Sequence, residues 1–326
     1  MKKVFLFEHI CGGGMGEEAI PPALAAQGAS MLETLVADCL AAGIEVLTTL
    51  DARGPARCAG ATVTRIGSDR AVYARFDALA READACLVIA PETDGVLAAW
   101  NERLASLGVP SMGCAPASIR LCGDKRMLSR HFDRYGVPSP NLIDHGGPDD
   151  ADFPVVVKPV DGAGCEETFV CRDRGEMRRW DAMPRPNSLV QHCCHWPHGI
   201  SVGVCVAMLG GGVAPLVCRR QRIGVHGDGP LQLRYEGGIA MSDRRLVRRA
   251  ELLAARAVAS VSGLWGIVGV DVMLDPDGAD DAVIEINPRM TLSIVDIAPS
   301  VRRGCVADWL SACCNDARAP RRTAGA

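Results

Sequence analysis

Val283-Ile-Glu-Ile-Asn-Pro-Arg289 decides how the rest of the chain is read. Val283 to Asn287 predicts a strand, and strand side chains alternate faces, so Glu285 and Asn287 point the same way. Pro288 has no N–H to donate and stops the ladder. The flanking Val283, Ile284 and Ile286 predict a buried strand, where an unpaired carboxylate is costly. A divalent cation held against phosphate resolves that cost, with the Arg289 guanidinium as a further phosphate partner. The competing reading is an edge strand with solvated polar residues. Asp271 ends a second apolar strand, Ile267-Val-Gly-Val270, and the link from there to Glu285 is rich in Asp, Pro and Gly. An antiparallel hairpin brings Asp271 towards Glu285 and adds a third oxygen ligand.

The chain has 326 residues, 48% of them hydrophobic and 23% charged. That length suits about two domains, and the composition predicts a folded core rather than disorder. Aromatic content is only 4%, so the core relies on Ala, Val, Leu and Ile. The net charge of -4 and the lack of a basic stripe argue against a nucleic-acid partner. Only four apolar residues follow Lys2 and Lys3 before Glu8, too few for a signal peptide. The uncharged run Ala257 to Val270 is short of the ~20 residues of a membrane span. A cytoplasmic protein is therefore expected, with no membrane partner and a homodimer as the default assembly. The 15 cysteines read as reduced, small apolar residues. His192, Cys193, Cys194, His195 and His198 form one dense ligand-like cluster, but adjacent cysteines fit a tetrahedral zinc site poorly.

Strands at Val4 to Phe7, Ile44 to Leu47 and Cys86 to Ala90 alternate with helices over Ser30 to Ala41 and Val96 to Leu107. That order predicts a small doubly wound parallel sheet over residues 1–113. A second unit over 114–190 opens with two helical pieces around Gly123-Asp124 and continues through strands at Val155 to Lys158 and Ser188 to Gln191. A third, over 191–317, is β-rich, with a hairpin of Ser201 to Leu209 and Val213 to Gln221 across three glycines. It also holds a long helix, Arg244 to Val261, and a final helix, Asp296 to Cys314. Residues 318–326 read as a frayed tail.

Lys158 lies at the end of an apolar strand and precedes Pro159-Val-Asp-Gly-Ala-Gly-Cys-Glu-Glu167. Gly162 and Gly164 let a loop approach phosphate and aim amides at it, and the lysine adds a point charge. The orders of a Walker A loop and a dinucleotide fingerprint are both absent. Lys125 follows Asp124, which is suited to cap a helix, and a lysine there opposes the helix dipole. That conflict favours a functional lysine, although exposed lysines are common. Arg219, Arg220 and Arg222 border this region if the hairpin packs as expected, although a charge run is usually a solvated face. Glu8-His-Ile-Cys-Gly-Gly-Gly14 follows the first strand, where open α/β sheets collect ligands. Its glycines read equally as a substrate entry or a plain turn.

Together these residues resemble the ATP-grasp superfamily. Lys125 and Lys158 match its two phosphate-contacting lysines, Gly162 to Glu167 its flexible loop, and Leu189-Val-Gln191 the hinge that meets adenine. Asp271, Glu285 and Asn287 match its metal ligands, and Arg289 the arginine of the Glu-x-Asn-Pro-Arg variant. The resemblance implies the ATP-grasp fold (α/β, α+β), with ATP and Mg2+ (or Mn2+) bound. It also implies an ADP-forming carboxylate–amine ligase working through an acyl phosphate, with small-molecule amino-acid and amine substrates. Phe7-Glu8, the glycines at 12 to 14, Gln27-Gly28-Ala-Ser-Met31-Leu32 and Asp38 resemble the tyramine–glutamate ligases of methanofuran biosynthesis and their methylotroph relatives. Arg220-Gln221 and Gly237-Gly238 fit the same group. That implies glutamate joined to tyramine or tyrosine. The alternatives are glutamate addition to another cofactor tail and a non-catalytic ATP-binding regulator. Cys165 stands where the loop commonly has glycine. Gly269 stands where D-alanine–D-alanine ligases carry an arginine, which throws phosphoryl stabilisation onto Arg220 or Arg289.

Overall fold

Along β1 (Lys3–Glu8), Val4 and Leu6 join one apolar cluster and Phe5 and Phe7 another, all four buried. A strand apolar on both faces belongs inside a covered parallel sheet. In the computed structural model, which describes residues 2–67, 71–143, 149, 152–162, 164–183, 187–210 and 212–316, it lies there. The expected tail at 318–326 falls outside the described residues. Strand β1 sits between β2 (Glu45–Asp51) and β4 (Ala85–Ile89), with β3 (Thr62–Ile66) beyond β2, and every pairing is parallel. Helix α1 (Pro22–Ala41) covers the Val4 face. Helices α2 (Val72–Glu82) and α3 (Val96–Leu107) bring Phe76 and Trp100 to the Phe5 face.

Strand β3 and helix α2 add to the expected elements, and α1 begins at Pro22 rather than near Ser30. Pro22 fits the first helical turn, where its missing N–H has no partner to lose. Gly28 disguises the early turns, since glycine is a poor helix former. It is there for space: a Cβ would lie 2.6 Å from the Glu8 carboxyl group.

The second sheet has eight antiparallel strands in the order β12-β11-β8-β9-β10-β6-β5-β7. In chain order they are β5 (Val155–Pro159), β6 (Phe169–Cys171), β7 (Ser188–His192), β8 (Ile200–Leu209), β9 (Gly212–His226), β10 (Leu231–Ala240), β11 (Gly266–Leu274) and β12 (Ala282–Asn287). The expected hairpin is β8–β9, although β9 continues to His226. Strand β10 pairs with β6, so the sheet is continuous, and residue 190 lies inside β7. The two expected helical pieces are α4 (Pro116–Gly123) and α5 (Lys125–Tyr135), followed by α6 (Arg174–Asp181) and the long α7 (Arg244–Ser260). Val268, Val270 and Val272 of β11 pack with Ala250, Ala254 and Ala257 of α7, which leaves the opposite face of the strand to the site. Among the described residues no helix is long and apolar enough to cross a membrane.

The last helix, α8 (Pro299–Asp316), starts three residues later than expected, after a separate 3-10 turn at Leu292–Asp296. Its Trp309 fills the place of a side chain at Gly266, where a Cβ would lie 2.3 Å from the ring. Buried Arg302 pairs with buried Asp38 of α1 and donates to the carbonyl of Ile297 at 2.8 Å, tying the two sheets' coverings together. Removing one partner of a buried pair strands the other charge. Asp38→Ala is expected to lower the unfolding free energy by ~3 kcal/mol, read as a lower urea midpoint with an unchanged slope. Replacing the exposed Arg303, 3.5 Å from the same carboxylate, is expected to cost less than ~1 kcal/mol.

Candidate functional site

Asp271 sits among the odd-numbered residues of β11 that turn away from α7, and Asp271 and Met273 line the cleft. Strand β12 runs antiparallel to it with Glu285 directly opposite Asp271. A bulge then breaks the register, because Val272 pairs with Val283 and Ile284 is left over. Two bulge residues facing one partner re-aim side chains; here both Ile284 and Glu285 line the cleft while Val283 stays in the core. Asn287 donates its side-chain N–H to Oδ2 of Asp271 at 3.0 Å, so its own oxygen is left for another partner.

Gln221 adds to the expected site residues. Its side chain donates to Oδ1 of Asp271 at 2.8 Å and accepts from the Ser201 hydroxyl at 2.6 Å. Gly203 of β8 makes this reach across a strand possible: a Cβ there would lie 3.1 Å from Gln221 Nε2 and 3.3 Å from Asp271 Oδ1. The sequence signals for it are Gly203, which stands opposite Asp271 in the β8–β11 ladder, and the Arg220-Gln221 pair of the family resemblance.

Lys158 comes from the other half of the sheet, and Lys125 from the start of α5 beside it. In β5, Val155 and Val157 enter a core with Trp180, while Val156 and Lys158 face the cleft. Asp124 caps α5 by accepting from the N–H groups of Arg126 and Met127, both at 2.9 Å. The Lys125 N–H donates to the Val160 carbonyl at 2.9 Å, which docks the helix start on the end of β5. The Lys125 ammonium donates to the Gly162 carbonyl at 2.6 Å and lies 3.6 Å from Glu285. Lys125, Lys158, Gly162, Gly164, Asp271 and Glu285 thus border one cavity of about 720 Å3. That volume suits a small molecule of nucleotide size.

Electrostatics separate the four charged groups. Burial, with the Glu285 charge beside it, pushes Asp271 up to about 7. Burial also acts to raise Glu285, but the Lys125 and Lys158 charges outweigh it, and its pKa is lowered. Burial lowers Lys158 to about 8 against the pull of Glu285. Two desolvated carboxylates with an amide oxygen next to them form an all-oxygen set, which suits a hard divalent cation that takes only a few protein ligands and completes its shell with phosphate. Among the described residues no cluster of three or more His, Cys, Asp or Glu side chains could hold a metal, so this pair depends on Asn287, and the His192–His198 stretch makes no such cluster.

The remaining expected residues divide. Gln191 is buried in β7, lines the cavity and donates to the Pro140 carbonyl at 3.2 Å. Arg220 is exposed and lines the cavity. Arg289 is not among the lining residues; it turns to the first sheet and pairs with Glu92. Glu92 is 197 residues away in sequence and carried no sequence signal. The glycines after β1 are consumed by packing. A Cβ at Gly12 would lie 2.5 Å from the Glu8 carbonyl, and one at Gly14 would lie 2.0 Å from the His9 ring, which favours the plain-turn reading over an entry. Gly269 has no room for a side chain, since a Cβ would lie 2.5 Å from Thr291, and an arginine is therefore excluded there without rearrangement.

Comparison with known proteins agrees with this geometry. A family model described as an ATP-grasp domain matches residues 122–293, and one described as a pre ATP-grasp domain matches 44–119. The chain is 29% identical over 214 residues to a tyramine–L-glutamate ligase of Methanocaldococcus jannaschii, a match covering 65% of this chain and 57% of that relative. A crystal structure of an Archaeoglobus fulgidus protein ascribed to the ATP-grasp superfamily superposes with a TM-score of 0.67 at 24% identity, covering 90% of this chain and 83% of that one. The D-alanine–D-alanine ligase of Bacillus anthracis superposes with a TM-score of 0.64 at 15% identity over 97% of this chain and 98% of that one. With more than half of its residues inside the first model, the chain belongs to the ATP-grasp domain family.

Proposed function

We propose that this protein is an ATP-dependent, ADP-forming carboxylate–amine ligase that joins the γ-carboxyl of glutamate to the amine of tyramine or tyrosine. The observation that carries the reading is the apposition of Lys125 and Lys158 to Asp271 and Glu285 across one cavity. The choice of substrates is supported by the likeness to the tyramine–L-glutamate ligases, and the chain spans less than two thirds of their length.

In this reading the triphosphate lies along the glycine loop. Lys125 and Lys158 hold its non-transferred phosphates, and Gln191 borders the base. Asp271, Glu285 and Asn287 hold Mg2+ or Mn2+, which when bound neutralises charge on phosphate oxygens. A carboxylate oxygen of glutamate attacks the γ-phosphorus while the bond to ADP breaks, giving an acyl phosphate. The neutral amine then attacks the acyl carbon, phosphate leaves with the C–O bond electrons, and the amine gives up a proton. Arg220, at the cavity lining, and Arg289, outside the lining but close enough for its charge to act on Glu285, stabilise the moving phosphoryl charge. Every protein contribution is placement and charge, so no nucleophilic side chain is needed.

Pure protein with ATP, MgCl2, L-glutamate and tyramine or tyrosine is expected to yield ADP and a product of the amide's mass by mass spectrometry. Lys158→Ala is expected to slow this roughly 100-fold or more. ADP and amide absent across a panel of amino acids and amines sinks the ligase reading, and ATP bound without turnover favours the regulatory one.

A pH dependence follows from Asp271. Its native pKa of about 7 lies above the ordinary carboxylate value near ~4. Between those values the native state binds the extra proton, so stability falls as pH rises through the window and levels off above it. Glu285 is shifted the other way, and its contribution is lost only as pH falls below the ordinary range. Burial lowers His9 to about 4, which gives a slope of opposite sign in the same window, so the Asp271 effect is read as a difference: wild type is expected to lose thermal stability relative to Asp271→Asn as pH rises from 5 to 7. Mg2+ with ADP is expected to stabilise more at pH 8 than at pH 6, and equal stabilisation at both speaks against Asp271 as a ligand.

A further inference from the structure

The turn after β4 has a constrained backbone. Pro91-Glu-Thr-Asp-Gly95 includes a 3-10 turn at Thr93–Gly95 in which both Asp94 (φ 54) and Gly95 (φ 69) are left-handed. A left-handed aspartate is strained, and such strain persists where surrounding contacts impose it. Two contacts do so here. The Asp94 N–H donates to Oδ2 of Asp161 at 3.0 Å, and Asp161 immediately precedes Gly162, the residue whose carbonyl Lys125 holds. Glu92 reaches the other way: its Oε2 accepts from Nε of Arg289 at 3.0 Å and lies 2.9 Å from a terminal nitrogen of the same guanidinium.

Glu92 is only 7% exposed, and its second oxygen is buried without a hydrogen-bond partner among the described residues. A dry, half-satisfied carboxylate is a poor stabiliser. The turn also lies at the carboxyl end of β4 beside the end of β1, where the strand order β3-β2-β1-β4 reverses direction and open sheets hold ligands. The opposite terminal nitrogen of Arg289 donates to the Met290 carbonyl at 3.3 Å. Two hydrogen bonds and one close ion-pair contact to protein fix the plane of the guanidinium, and with it the directions of its remaining N–H groups.

We propose that the Pro91–Gly95 turn is a positioning element for phosphoryl transfer, in which Glu92 aims the Arg289 guanidinium and Asp94 anchors the root of the glycine loop. This rests on the ligase reading. Glu92 acts through Arg289, and Asp161 transmits the anchor to the loop, so one rigid turn of the first sheet registers both sides of the transfer site.

The test compares the full chain with Glu92→Gln, Arg289→Lys and the double variant. Glu92→Gln is expected to bind ATP within about twofold of wild type and to lose kcat roughly 10- to 100-fold, the scale set by a small misplacement. The double variant is expected to be no slower than Arg289→Lys, because groups acting as a unit are not additive. The Arg289 Nε–H resonance, assigned by its loss in Arg289→Lys, is expected to be sharp in wild type and broadened in Glu92→Gln. Asp161→Ala, at the other end of the turn, is expected to raise the KM for ATP roughly fivefold or more. Turnover of Glu92→Gln within threefold of wild type, additive losses in the double variant, an unchanged Arg289 resonance, or an unchanged KM in Asp161→Ala overturns the proposal. Wild-type protein that makes no amide while the resonance broadens as described refutes the ligase reading alone and supports the positioning role.

Discussion

Asp271 and Glu285 are adjacent across a strand pair, both half-buried beside the cleft, and two such carboxylates do not readily both ionise without positive charge nearby. The Lys125 and Lys158 ammonium groups supply it from the far half of the sheet. At an effective dielectric of about 20, one close charge pair is worth on the order of 4 kcal/mol, the same size as one carboxylate–carboxylate repulsion. Two ammoniums therefore keep Glu285 charged, and Asp271 becomes the group that carries a proton. The site without ligands is balanced around charges that a metal–triphosphate would rearrange under the proposed function: a cation would replace the proton on Asp271, and phosphate would take over the lysines.

The rest of the fold serves to hold those two pairs at one spacing. Strands β11 and β12 carry the acids and β5 carries Lys158, at opposite regions of a single eight-stranded sheet. Antiparallel pairing of β10 with β6 joins them without a break. The capped start of α5, hydrogen-bonded to the end of β5, then adds Lys125 to the same wall. The first sheet closes the arrangement through the Glu92–Arg289 contact and through α8, which Arg302 fixes on α1.

Much of this was legible in the sequence because it follows from local periodicity. The alternation in Val283 to Asn287 placed Glu285 and Asn287 on one face, and the Asp-, Pro- and Gly-rich link made the hairpin to Asp271 the simple choice. The cap at Asp124 was equally readable, since it needs only its own helix. What escaped depends on long-range pairing. Gln221 meets Asp271 only because β8 lies between their strands and carries a glycine at 203. Glu92 meets Arg289 across two sheets. The β12 bulge and the early start of α1 were hidden by residues, Ile284 and Gly28, whose reason for being there lies in another element.

The most direct test of the central claim is the amount of free Mn2+, read by electron paramagnetic resonance, in solutions of the protein with and without ADP. The account predicts weak Mn2+ binding alone, much tighter binding with ADP present, and a loss of roughly tenfold or more in Glu285→Gln. Mn2+ held equally well by wild type and Glu285→Gln, with no gain from ADP, would contradict it.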